Sequence, residues 1–130
     1  MALREVTVST AGGKFKQTVR VGPHELVSDE PTANGGADEG PSPHELLLAA
    51  LGSCTSMTVR MYAERKGWAL ERVEVGVSGE RENEVFHIRR RIRLEGKLSD
   101  EERQRLLEIA NKCPVHRTLS GTVQIESTLV

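Results

Sequence analysis

Between Gly40 and Ala63 the chain carries its longest apolar run, and one of only two cysteines lies inside it. Ser42, Pro43 and Glu45 predict where this run becomes a helix. The hydroxyl serves as N-cap, proline fits N1 because its missing N–H is not needed there, and a carboxylate at N3 closes a capping box. From that start Leu47, Ala50, Cys54, Met57, Thr58 and Met61 recur at helical spacing, which puts Cys54 on the apolar stripe. Lys66-Gly67 predicts the end. A helix this apolar is a core element, and its thiol is expected to be shielded from water. On this stretch alone Cys54 reads as a small hydrophobe, as most buried cysteines are.

The rest of the chain offers little to cover such a helix. Its 130 residues are enough for one domain, residues 1–130, yet only 37% are hydrophobic and 3% aromatic. A lean core around one long helix predicts that a second copy completes it, so a homodimer is expected. A net charge of −1 gives no strong field for nucleic acid or an anionic membrane. No leader-like run opens the sequence, and no segment is expected to span a membrane. The expected location is cytoplasmic, where two cysteines are reactive or merely buried rather than a permanent disulfide.

Val6 and Val8, then Phe15, Gln17, Val19 and Val21, alternate with polar neighbours across a turn at Ala11-Gly12-Gly13. They predict a half-buried hairpin, followed by a third strand over 24–28. Pro31, Pro41 and Asn34-Gly35-Gly36 make residues 29–42 a loop, long enough to be functional or mobile. Beyond the helix, Val73, Val75 and Val77 alternate, Arg81-Glu82-Asn83 turns, and Phe86, Ile88, Ile92 and Leu94 alternate again. Arg90 falls on the apolar face of that strand, either capping an edge or buried and paired. His87, Arg89, Arg91 and Arg93 form the other face, read as solvated because no aromatics interleave it for nucleic acid. Ser99 and Glu102 predict a second capping box, opening a helix with Arg103, Leu106, Leu107, Ala110 and Cys113 on one side; Pro114 would stop it at Cys113. A short turn from Pro114 to Leu119 ends at Gly121, and Val123 and Ile125 begin a last strand. The order predicts an α+β fold, antiparallel sheets packed around a long central helix.

Two positions invite chemistry. Cys113 is the N-cap if Pro114 starts a helical turn, and orphan N–H groups there favour thiolate over thiol. His116 and Arg117 can add positive charge; the alternative is an inert, capped thiol. Glu45 lies nine residues before Cys54, half a turn round and about 13 Å away on a straight helix. It cannot touch Cys54 without a break, for which Gly52-Ser53 is the candidate, with Ser53 capping a second helix. Otherwise Glu45 is only the capping-box partner. Cys113 and His116 have ligand-like spacing, with Cys54 and His44 as possible additions, but structural zinc sites show paired motifs and only one weak pair is present. No metal and no cofactor are assigned.

Pro43-His44-Glu45-Leu46-Leu47-Leu48-Ala49-Ala50-Leu51-Gly52-Ser53-Cys54, followed by Cys113-Pro114-Val115-His116, resembles the OsmC/Ohr family of organic hydroperoxide reductases. The resemblance implies an intertwined homodimer with two active sites at the subunit interface. It implies that Cys54 is the peroxidatic cysteine and Cys113 the resolving one, turned over by an organic hydroperoxide and a dithiol reductant of lipoyl type. The family's glutamate stands ten residues before the cysteine; here that place is His44, and Glu45 is displaced by one. For the family's arginine, Lys14 has the matching position, while Arg20 and Arg90 have the guanidinium. Arg20 ranks first because it shares the hairpin. The rival reading is a non-catalytic OsmC-like dimer that binds a small apolar ligand between its subunits.

Overall fold

The computed structural model describes residues 2–130, which divide into two compact units, one running through Leu47 and the other Leu48–Val130. The expected α+β class is found. In the first unit, β1 (Thr7–Thr10), β2 (Gln17–Val21) and β3 (His24–Ser28) form an antiparallel sheet in that order. Thr7 pairs with Arg20 and Val21 with His24, so the predicted hairpin and third strand are both present.

The loop after β3 is tied down from inside. Asp29 is 2% exposed, and its carboxylate accepts the backbone N–H groups of Glu30 at 2.8 Å, Glu39 at 3.1 Å and Ala37 at 3.3 Å. The Glu39 N–H does most to hold this carboxyl below its ordinary range; burial opposes it, and Glu30, Ala37 and the Lys16 charge add to the lowering. Gly36 is required here, since a Cβ would run into the Glu30 carbonyl.

Helix α1 spans Pro43–Lys66 without interruption. The Ser42 N–H donates to Glu45 Oε1 at 2.8 Å and the Glu45 N–H to Ser42 Oγ at 3.3 Å, the capping box that the sequence predicts. At the other end Gly67 takes a left-handed φ of 69°, and the Trp68 N–H closes on Ala63 O. The proposed break at Gly52-Ser53 does not occur. Gly52 is there for packing: a Cβ would meet Val77 at 3.3 Å, so the glycine lets the helix approach the sheet closely. By length and composition α1 could cross a membrane, against the sequence expectation, but one stripe of it forms the core of its own unit.

That stripe is not the one expected. The buried residues are Leu51, Thr55, Val59 and Ala63, whereas Met57 and Met61 are 58% and 62% exposed. Strands β4 (Ala69–Glu82) and β5 (Val85–Lys97) form a long ribbon, turning at Asn83 and Glu84, both at positive φ. Val73, Ile92 and Leu94 of this ribbon join Trp68 in packing around Val59, Ala63, Leu106 and Ala110. Across the ribbon's polar face Arg89 pairs with Glu80 at 3.7 Å, as a solvated face does.

Helix α2 (Asp100–Ala110) opens with the expected Ser99–Glu102 capping box and contributes Leu106, Ile109 and Ala110 to the core. It ends at Ala110 rather than Cys113, and Leu107 is exposed. Helix α3 (Pro114–Ser120) follows directly. The expected last strand is absent: residues 122–130 are exposed and pair with neither sheet of the described residues. Alternation of Val123 and Ile125 makes a strand only where an edge exists to receive it.

Candidate active site

Cys113 is the N-cap of α3, in extended backbone, and its Sγ accepts the His116 N–H at 3.4 Å. Its surface is 0% exposed. From α1, Thr55 Oγ1 lies 3.7 Å from that sulfur. From β5, Arg90 donates through Nη1 to Thr55 Oγ1 at 2.9 Å and through Nη2 to Asn111 Oδ1 at 2.8 Å and His116 Nδ1 at 3.0 Å. Arginine is donor only, so His116 Nδ1 is the acceptor and the imidazole is neutral, with its proton on Nε2. Burial pushes His116 below its ordinary value, and the Arg90 charge pushes the same way.

Cys113 feels opposed forces. Burial pushes its thiol up, but the His116 N–H, the Thr55 hydroxyl, the Cys54 thiol and the Arg90 charge together bring it below the ordinary range. Both cysteines are free thiols, Cys54 half-buried and Cys113 buried. Cys54 has one further polar neighbour, Thr58 Oγ1 at 4.0 Å. Because α1 is continuous, Cys54 sits mid-helix and has no helix N-terminus to lean on.

The other expected residues have partners of their own. Arg20 pairs with Glu25 across the β2–β3 hairpin at 3.3 Å, both side chains exposed. Glu45 is committed to the Ser42 capping box. Arg117, expected to add charge near Cys113, is exposed. The cation that the contacts bring beside Cys113 is Arg90, the inward-facing arginine of the sequence. Thr55 was not anticipated at all; its signal was a hydroxyl on the same stripe as Leu51, Val59 and Ala63. Among the described residues no three His, Cys, Asp or Glu side chains group to hold a metal ion.

A groove of about 750 Å³ is lined by Thr58, Met61, Tyr62 and Ile109 together with the charged Glu64, Arg65 and Lys112; its Thr58 is the polar neighbour of Cys54. Arg105 donates to the Tyr62 hydroxyl at 3.0 Å, and this bond does most to lower the phenol, with the charges of Arg105, Lys66 and Arg65 adding to it against burial.

A family model described as OsmC-like protein matches residues 35–128, which include both cysteines and the Arg90 network. The chain belongs to the OsmC-like family. Solved structures agree with this OsmC-like assignment at the level of fold. An OsmC-like protein from Mycoplasma pneumoniae superposes with a TM-score of 0.77 at 20% identity, covering 92% of this chain and 89% of that one. The organic hydroperoxide resistance protein OsmC from Legionella pneumophila gives 0.70 at 19% identity, with 93% and 91% covered. The organic hydroperoxide resistance protein OhrB of Bacillus subtilis gives 0.63 at 19% identity, with 92% of each chain covered. No curated protein sequence matches significantly.

Proposed function

We propose that this OsmC-like chain reduces organic hydroperoxides through Cys54 and Cys113, as a homodimer. The observation that carries the reading is the unlike pair of free thiols: one half-buried, the other fully buried and surrounded by hydrogen-bond donors. Cys54, the accessible sulfur, attacks the distal peroxide oxygen as thiolate. The O–O bond breaks, the alkoxide leaves and takes up a proton, and Cys54 becomes a sulfenic acid. Cys113 then displaces hydroxide from that sulfur and the disulfide forms. A dithiol donor, lipoyl-type by resemblance, restores both thiols by exchange. The groove that includes Thr58, the neighbour of Cys54, is walled by Met61, Tyr62 and Ile109, which supports an alkyl or lipid hydroperoxide rather than hydrogen peroxide. The family names carried by the Legionella and Bacillus proteins support the same chemistry.

The dimer is supported by apolar surface that this chain leaves open: Leu47, Met57 and Met61 on α1, and Val123, Ile125 and Leu129 beyond α3. In the intertwined dimer that the resemblance implies, Glu45 and Arg20 belong to the proposed site, with Arg90 a further guanidinium beside Thr55 and His116. A cytoplasmic location suits two thiols that must be returned to the reduced state.

The groove also fits a rival role, binding a small apolar ligand without turnover. One equivalent of cumene hydroperoxide decides between them. The peroxidase reading expects both thiols to disappear together into an intramolecular disulfide. Thiols that persist, with the groove still occupied by an apolar ligand, favour the binding module.

A further inference from the structure

The Thr55 hydroxyl has one proton and three polar neighbours. It donates to Leu51 O at 2.7 Å, accepts from Arg90 Nη1 at 2.9 Å, and lies 3.7 Å from Cys113 Sγ. With its proton on Leu51 O, Thr55 can only accept from Cys113, which then must be a thiol. Should Cys113 lose its proton, the hydroxyl turns its own toward the sulfur. Arg90 stays on the oxygen and polarises that O–H. Leu51 O keeps the helical bond from the Thr55 backbone, so no buried group is orphaned by the turn.

Arg90 has reason to favour that second arrangement. Among the described residues it forms no ion pair with a carboxylate. Its partners Thr55, Asn111 and His116 are all neutral. A half-buried guanidinium without a counter-anion gains from negative charge created nearby. The titratable groups facing Cys113 are Cys54 from α1, Arg90 from β5 and His116 from α3, with Lys112 next to it in the chain. None of them is a carboxylate.

We propose that Arg90 acts through Thr55 on Cys113, making Cys113 the ready nucleophile that closes the disulfide; both are positioning residues. The assignment rests on the peroxidase reading. Cys54, the more accessible sulfur, meets the hydroperoxide and becomes Cys54–S–OH. The Cys113 thiolate attacks that sulfur, the S–O bond breaks, and hydroxide leaves with the bonding pair and is protonated to water. The hydroperoxide already consumed is the only oxidant required.

The test is titration of Cys113 in the Cys54→Ser background, read by the ultraviolet absorbance of the thiolate so that reagent access plays no part. Arg90→Met and Thr55→Val should each move the midpoint upward, with about a tenfold lower thiolate fraction at neutral pH. Thr55→Ser keeps the hydroxyl and should restore it. Arg89→Met, on the exposed polar face of β5, should leave it in place. A merely structural Arg90 would lower the unfolding temperature without moving the titration, and that result overturns the proposal. If Arg90→Met does not fold, equal midpoints for Thr55→Val and Thr55→Ser overturn it instead. Failure of the peroxidase reading shows separately: wild-type thiols would survive cumene hydroperoxide, which removes the disulfide-closing role whatever the titration gives.

Discussion

The two flanks of α1 have the same apolar period and opposite fates. Leu51, Thr55, Val59 and Ala63 face the core of their unit, and Thr55 on that flank reaches Cys113. Leu47, Met57 and Met61 face outward, and half-buried Cys54 belongs to that flank. The inner flank sets up the buried sulfur through hydrogen bonds. The outer flank presents the other sulfur to whatever arrives. The proposed redox pair needs both conditions, because one thiol must be reachable and its partner must be kept ready without competing for substrate.

The sharpest way to break this division is at the sulfurs themselves. Cys54→Ser should abolish hydroperoxide consumption, while Cys113→Ser should consume one equivalent and stop. Peroxide loss per protein distinguishes the two, and the reverse pattern would exchange the roles of the flanks. A smaller but still large effect is expected in the core opposite the inner flank. Leu106→Ala, at a residue with no exposed surface, should cost about 2–5 kcal/mol in urea unfolding. Met57→Ala, measured on the monomer, should cost no more than about 0.5 kcal/mol. Similar losses at the two positions would erase the distinction between buried and open flanks.

Charge on the outer flank tests what covers it. Met57→Glu combined with Met61→Glu should turn a dimer into a monomer at micromolar concentration, as sedimentation would show, with helical circular dichroism retained. A dimer that survives both carboxylates would place its interface elsewhere. The smallest effect expected is a pH dependence. His116 is held neutral in the fold, below its ordinary value of 6.5, so the unfolded chain binds more protons in mildly acidic solution. Stability should fall as pH drops through that ordinary value toward the folded one, and His116→Gln should flatten that part of the curve.

Much of this architecture was legible in local sequence. Ser42 with Glu45, Ser99 with Glu102, and Cys113 before Pro114 are contacts between residues three apart or fewer, so the chain itself dictates them. The strand alternation and the glycine end of α1 are local in the same sense. The choice of flank was not legible, because Leu47, Met57 and Met61 repeat with the same period as Leu51, Val59 and Ala63. Only the position of β4, β5 and α2 decides which set is buried. Gly52 could be a break or a close approach until Val77 is placed beside it. Arg20 and Arg90 carry the same head group, and pairing across β2–β3 gives the first to Glu25, while the face of β5 gives the second to Thr55 and His116. The sequence alone determined the first three strands, the ribbon, the helix starts with their caps and the family motif, since these depend on near neighbours. Tertiary structure alone decided which stripe is inside, which arginine lies beside Cys113 and whether the last segment is a strand, since each depends on surfaces supplied from far along the chain.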